Sequence, residues 1–419
     1  MLSQIEGSQA VARAVTLCRP EVIAAYPISP QTHIVESLSD RVRTGELAGC
    51  EYLMVESEFG AMSACIGASG AGARAYTATS SQGLLFMAEA LFNASGLGLS
   101  IVMTVANRAI GAPINIWNDH SDSMSMRDSG WIQLFAESNQ EAVDLHLQAF
   151  KIAETLSVPV MVCMDGFVLT HAFEQVDLPT QEEVDAFLPA FAPRQLLDPD
   201  DPVTIGAMVG PEAFAEVKYL MHAKQIAALD LIPRVAADFT AAFGRSSGGL
   251  VRSYRAEDAE TVVVALGSVL GTIEEVVDSM REDGVSVGAL AISCFRPWPI
   301  DEVRGALYGA KRVVVVEKAF AVGVGGIVGQ NMRLALSGLP VEVYDVVAGL
   351  GGRPITQSSL RGLFTEVIES RMDSRALHFL DLDVALVERE LARSSKGTRS
   401  GPHAEIMLRD LGTVGSGPA

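Results

Sequence analysis

Positive charge is the first thing this chain has little of. Its 31 lysines and arginines are outnumbered by 51 aspartates and glutamates, which leaves a net charge of −20 at pH 7. So acidic a surface repels phosphodiester backbones and anionic lipid, excluding nucleic acid and membranes as main partners. Cysteine is scarce as well. Cys18, Cys50, Cys65, Cys163 and Cys294 lie far apart with no CxxC pair among them. That spacing supports neither a disulfide framework nor a zinc or iron–sulfur site. Aromatic residues supply only 6% of the chain. No apolar run reaches the roughly 18 residues of a membrane span. The opening stretch MLSQIEGSQAVARAV lacks the basic and apolar segments of a signal peptide. A cytoplasmic protein is expected. Nucleotide signatures are missing too. There is no GxxxxGK(S/T), and the glycines of Gly323–Gly326 read as a tight turn.

What is present is aliphatic. Hydrophobic residues make up 49% of 419, mostly Ala, Val, Leu and Ile, as in doubly wound α/β sheets. The length exceeds one ordinary core. Strands are expected at Glu21–Tyr26, Tyr52–Val55, Ala73–Thr79, Ser100–Ala106, Gly130–Glu137 and Val158–Met164. Between and around them, helices are expected at Ser3–Leu17, Gln31–Arg41, Leu84–Ala94 and Gln140–Leu156. This alternation predicts βαβ units and a parallel sheet over residues 1–176. Residues 177–254 carry many prolines and the acidic run DPDDP, and read as an extended arm or linker with a helix near Glu212–Ala223. A second, smaller α/β unit is expected over 255–370. Residues 371–419 read as one or two helices and a flexible polar tail.

Three residues stand where chemistry is expected, because ligands sit beyond the carboxyl ends of parallel strands. In EYLMVESEFGAMSACIGASGAGAR (51–74), Glu58 opens a helix built from very small residues, which lets a ligand or backbone approach closely. An acid in a first helical turn also simply complements the helix dipole, so both readings stand at this point. Arg108 ends an apolar strand. It can clamp a carboxylate or form a structural ion pair with Glu58 or Asp119. Ser29, between prolines in YPISPQT, offers a hydroxyl to a ligand or just closes the corner. The stretch NRAIGAPINIWNDHSDSMSMRDS (107–129) has no period and reads as an active-site wall or a subunit contact. Its Asp119, His120 and Asp122 are read as hydrogen-bonded to backbone, and no metal ligand set is expected on this chain.

Together YPISPQT, VESEFGAMSACIGASGAGAR, TATSSQGLLFM, VANRAIGAPINIWNDHSDSMSMRDSGWIQL and MDGFVLTH resemble the alpha subunits of the 2-oxoacid:ferredoxin oxidoreductase family, those of the pyruvate enzymes in particular. The likeness runs over about residues 1–370. It implies two doubly wound parallel-sheet α/β domains, a thiamine-diphosphate pyrimidine-binding domain and a smaller transketolase C-terminal-like domain. By the resemblance, Glu58 is the catalytic glutamate that hydrogen-bonds the cofactor's aminopyrimidine. Arg108 pairs with the substrate carboxylate, and Ser29, a Thr in many relatives, bonds the bound substrate. The diphosphate–magnesium signature of thiamine enzymes (GDG with a later Asn-Asn) is absent here. The resemblance therefore implies thiamine diphosphate shared with a beta subunit that carries the diphosphate and Mg2+ site. It also implies iron–sulfur clusters on gamma and delta or ferredoxin-like subunits. The implied reaction is coenzyme A-dependent oxidative decarboxylation of pyruvate to acetyl-CoA and CO2, with electrons passed to ferredoxin. Another 2-oxoacid (2-oxoglutarate, branched-chain or oxalate) or a non-catalytic paralogue are the alternatives.

Overall fold

The computed structural model describes residues 2–194, 196–395, 407–408 and 411. The tail expected beyond residue 395 lies, apart from 407–408 and 411, outside the described residues. In chain order the first half runs β1 (Leu2–Glu6), α1 (Gly7–Leu17), β2 (Val22–Ala25), α2 (Thr32–Thr44), β3 (Glu51–Met54), α3 (Glu58–Gly70), β4 (Ala75–Thr79), α4 (Ser81–Phe86), α5 (Ala88–Leu97), β5 (Ile101–Asn107), α6 (Ser121–Ser125), β6 (Ile132–Phe135), α7 (Asn139–Leu156), β7 (Val160–Asp165), β8 (Phe173–Asp177), α8 (Gln181–Phe187) and α9 (Phe214–Phe243). The second half runs β9 (Val251–Tyr254), β10 (Thr261–Ala265), α10 (Val269–Glu282), β11 (Val287–Ile292), β12 (Cys294–Arg296), α11 (Ile300–Ala306), β13 (Arg312–Glu317), β14 (Phe320–Ala321), β15 (Gly325–Gly326), α12 (Ile327–Ala335), β16 (Glu342–Val347), α13 (Gln357–Ile368), β17 (Leu377–Phe379) and α14 (Val384–Ser395).

Two large sheets result. The first has the order β12-β6-β7-β5-β4-β2-β3, and the second β17-β16-β13-β10-β11-β9. Neighbours run parallel except β12 on β6 and β9 on β11, each an antiparallel edge. Every residue of β4, β5 and β7 is buried, as expected of strands covered on both faces. One apolar cluster, with Val11, Ile34, Leu145 and Phe150, fills the face under α1, α2 and α7. A second cluster runs without a break from Ala61, Met62 and Leu91 into Val262, Leu290, Phe295 and Val328. The two α/β units therefore share a core, and β12 leaves the second unit to pair with the first sheet. Burying such a continuous apolar surface, at about 25 cal/mol per Å², holds the two sheets in fixed register.

Three expected elements come out differently. Leu2 and the first four residues of the expected opening helix form β1, which pairs antiparallel with β8 from Leu2↔Asp177 to Glu6↔Phe173. No local pattern announces a partner so far along the chain. The helix expected at Leu84–Ala94 begins at Ser81 and breaks near Met87 into α4 and α5. The helix expected near Glu212–Ala223 runs 30 residues, through Pro233, to Phe243. Proline is a poor guide there because Ala228, Ile232, Val235 and Phe239 recur at helical spacing and are buried.

Candidate active site

In the first sheet the chain moves outward from β2 to β3, returns to β4, and continues through β5 to β7. The strand order thus reverses between β2 and β4, and a crevice opens at such a switch point. Ser29 follows β2, Glu58 follows β3, Thr79–Gly83 closes β4, and Arg108 follows β5. Four adjacent strand ends therefore bring the three sequence-predicted residues to one edge.

Glu58 occupies the first turn of α3, where Ser57 caps the helix by accepting the Gly60 amide at 3.1 Å. The cap turns the chain so that Glu58 points inward, and the residue is only 7% exposed. The helix follows the small-residue pattern read from the sequence and packs on β2 and β4. Gly83 makes room for the carboxyl. A Cβ there would lie 2.6 Å from Glu58 Oε1 and 2.6 Å from Thr79 Oγ1. Among the described residues the buried hydroxyls of Thr79 and Ser80 have no hydrogen-bond partner, whereas the Glu58 carboxylate, also without one, is not fully enclosed. Buried polar groups without partners are uncommon and expensive. A buried carboxylate, two buried hydroxyls and a glycine that permits close approach fit the polar edge of a pyrimidine ring.

Arg108 is anchored by backbone and leaves part of its donor fork unused. Its Nη1 donates to Ser29 O at 2.9 Å and its Nε to Asn115 O at 3.1 Å. It forms no ion pair with Glu58 or Asp119, the two structural partners weighed from the sequence. Burial works against its charge, and the carboxylate of Asp122 works for it. Asp122 ties the ends of β4 and β5 together. Its Oδ2 accepts the amides of Ser81 at 2.9 Å and Arg108 at 3.0 Å, and its Oδ1 accepts Asn107 Nδ2 at 2.8 Å. Burial pushes the Asp122 carboxyl up to about 6, against these hydrogen bonds. Ser29 itself is exposed. The corner it sits on is pressed against Gly166, where a Cβ would come within 2.5 Å of Pro30 Cγ.

The loop from 107 to 129 is fastened to the second unit. Asp119 accepts the Gly351 amide at 3.1 Å, and Asn115 Nδ2 donates to Gly351 O at 3.1 Å. His120 Nε2 lies 2.7 Å from Asp165 Oδ1, while Lys318 Nζ reaches Asp165 Oδ2 at 2.7 Å. Ser268 adds its amide at 3.0 Å and its hydroxyl to the same oxygen. Burial pushes the Asp165 carboxyl up, yet Lys318 and His120 outweigh it and hold the group well below the carboxylate range. Ser268 and Lys318 follow β10 and β13, the switch point of the second sheet. The carboxyl edges of the two sheets therefore meet at Asp165. Sequence reasoning did not single out Asp165, Lys318, Thr79 or Gly83. The motifs MDGFVLTH and TATSSQG were the available signal for Asp165, Thr79 and Gly83; Lys318 lies in neither.

The sequence model described as pyruvate flavodoxin/ferredoxin oxidoreductase, thiamine diP-binding, matches residues 13–235. The one described as pyruvate:ferredoxin oxidoreductase core domain II matches residues 259–360. Pyruvate synthase subunit PorA of Methanosarcina barkeri is 49% identical over 367 residues, covering 86% of this chain and 91% of its own. Ketoisovalerate oxidoreductase subunit VorA of Pyrococcus abyssi is 39% identical over 384 residues, covering 90% and 97%. Among solved structures, 2-oxoglutarate:ferredoxin oxidoreductase from Magnetococcus marinus superposes with a TM-score of 0.69 at 20% identity, covering 88% of this chain and 65% of that one. A split-gene transketolase superposes with a TM-score of 0.52 at 12% identity, covering 88% and 99%. Those two likenesses concern the fold and agree with the two parallel-sheet α/β units expected. With motifs, sheet topology and relatives in agreement, the chain belongs to the 2-oxoacid:ferredoxin oxidoreductase family, as an alpha-type subunit of the pyruvate:ferredoxin oxidoreductase kind.

Proposed function

We propose that this chain is the pyrimidine-binding subunit of a coenzyme A-dependent pyruvate:ferredoxin oxidoreductase. In this reading pyruvate becomes acetyl-CoA and CO2 while electrons pass to ferredoxin. The observation that carries the reading is the unpartnered Glu58 carboxylate at the mouth of the small-residue helix α3, beside the unpartnered Thr79 hydroxyl. Glu58, Thr79 and Ser80 would hold the pyrimidine end of thiamine diphosphate, which supplies a nucleophilic carbon and an electron sink when bound. Glu58 would share a proton with a ring nitrogen of that cofactor, the placement general acid–base catalysis needs. Arg108 Nη2, the guanidinium nitrogen without a described protein partner, would meet the substrate carboxylate, and Ser29 lines the same corner.

Substrate charge favours pyruvate over a dicarboxylate. A second carboxylate needs a second cation, and Arg127, the nearby candidate, donates to Met124 O at 2.8 Å and lies 3.8 Å from Asp128. The rest of the machinery is assigned to other chains. The five cysteines are buried and far apart in the chain with no CxxC pair among them, so they supply no cluster ligand spacing. We therefore assign the diphosphate and Mg2+ site to a beta subunit, and the iron–sulfur clusters to gamma and delta or ferredoxin-like subunits. Exposed Phe59 and Phe86, with ring centroids 6.4 Å apart beside Glu58, offer an apolar surface for such a partner. Five unbridged thiols suit a reducing, cytoplasmic setting.

The test is dye reduction by the purified native complex on pyruvate, 2-oxoglutarate, 2-oxoisovalerate and oxalate, each with and without coenzyme A. Reduction dependent on pyruvate and coenzyme A is expected. Reduction on another acid alone changes the substrate and keeps the chemistry. A stable complex silent on every acid overturns the reading in favour of a non-catalytic paralogue.

A further inference from the structure

On the opposite face of the first sheet from α3, three segments bring metal-binding side chains together. Glu6 ends β1, His33 lies in the first turn of α2, and His171 closes the MDGFVLTH loop after β7. One ligand atom from each lies within 4.8 Å of the other two. His33 Nδ1 is 2.7 Å from Glu6 Oε1, and the rings of His33 and His171 face each other with centroids 4.7 Å apart.

The donors are individually placed by the fold. Glu6 is fixed by its register with Phe173 in the β1–β8 pair. His171 rests on the Phe167 ring at 4.7 Å, and its Nδ1 lies 2.8 Å from Thr170 Oγ1. That contact leaves Nε2 free and fixes the ring plane, as an outer partner of a ligating histidine does. Glu6 and His33 also line a cavity of about 490 Å³ whose wall carries Glu36, Asp40 and Glu46. Arg41, the basic residue of that wall, is paired with Glu46. The mouth is therefore acidic and attracts cations.

We propose that Glu6, His33 and His171 form a divalent-metal site, selective for zinc, on the alpha-type subunit itself. Two imidazoles and one carboxylate are a borderline donor set that favours zinc over magnesium or calcium. Tetrahedral zinc with ligands at about 2.1 Å needs donors about 3.4 Å apart, so the Glu6–His33 pair, now 2.7 Å apart, opens slightly and His171, within 4.8 Å of both, adjusts by side-chain rotation. Glu6 and His33 exchange their mutual hydrogen bond for the metal. Water from the cavity takes the fourth position. The site would tie β1 and α2 to the loop whose Gly166 presses on Pro30, so the metal would brace the corner that carries Ser29. It departs from the sequence expectation, in which Asp119, His120 and Asp122 were the only candidates weighed. It also stands whether or not the substrate is pyruvate.

The experiment uses the full-length chain stripped by chelator, with Zn2+ titrated against a chromophoric competitor. One zinc per chain is expected. Binding should weaken at least about tenfold in Glu6→Gln and about a hundredfold in His33→Ala/His171→Ala, in line with loss of ligands. Co2+ added to the unsubstituted chain should give the visible absorption of a tetrahedral nitrogen–oxygen site, a readout that needs no variant to fold. Zinc bound equally by the unsubstituted chain and the folded double variant overturns the proposal. So does an octahedral Co2+ spectrum, or no stoichiometric zinc uptake. Each of those outcomes would leave a hydrogen-bonded Glu6–His33 pair.

Discussion

Two buried carboxylates at the same sheet edge have opposite surroundings. Asp165, at the end of β7, accepts hydrogen bonds from His120, Lys318 and Ser268 and has no oxygen to spare. Glu58, after β3, is almost as buried, yet among the described residues its carboxylate meets no donor, and Gly83 keeps the space beside it clear. The cost of burying a charge is met at Asp165 by the protein's own cation. At Glu58 no cation or donor of the described residues does the same. Saturation marks the first as a fastening between the two sheets; in the proposed reading, the lack of it leaves the second for a ligand.

The comparison can be broken most sharply at Glu58. Glu58→Gln removes the proton-holding oxygen and should lower turnover of the assembled complex by about 10²-fold or more, with an unchanged circular-dichroism spectrum. Turnover within a few-fold of normal would place Glu58 with the structural carboxylates. Lys318→Met should do the reverse. It leaves Asp165 short of its cation in a site where Lys318 is 6% exposed, so stability should drop by about 3–5 kcal/mol, read from the urea midpoint. An unchanged midpoint would mean that His120 and Ser268 suffice.

Arg108→Ala sharpens the difference between holding substrate and holding structure. Losing a charge-assisted hydrogen bond of about 1.5–3 kcal/mol should raise the oxoacid KM about 10- to 100-fold and spare that of coenzyme A. Equal changes in both would remove Arg108 from the carboxylate role. The smallest effect is a pH slope. Glu317 accepts the amides of Ile327, Val328 and Gly329, yet burial raises its carboxyl from 4.5 to about 7. The native state thus keeps a proton that the unfolded chain has already lost. Stability is fully present below about 4.5 and declines as pH rises through about 7. Glu317→Gln should flatten that slope in denaturant titrations at several pH values. An identical slope would show the group is ionised when folded.

The alternation of apolar strands with helices could be read along the chain, because burial on both faces of a parallel sheet forces continuous aliphatic runs such as IVMTVA. The pairing of β1 with β8 could not be read that way. Its register depends on a strand 167 positions further on, and a short N-terminal segment carries no sign of it. The expected helix near Glu212–Ala223 falls short of α9, whose buried face recurs at helical spacing on both sides of Pro233 and carries the helix to Phe243.

By itself the sequence determined that this chain builds small-residue helices over aliphatic parallel strands, and that Ser29, Glu58 and Arg108 stand at strand ends. Those features follow from local chemistry: side-chain size, period and breaker residues. Only the tertiary structure decided what each of them meets. The order of the strands placed Arg108 against the Ser29 carbonyl and Asp165 against Lys318. It left Glu58 unpartnered and gathered Glu6, His33 and His171 from three separate segments. Contacts between residues far apart in the chain arise from how sheets close and share a core, and no local pattern specifies them.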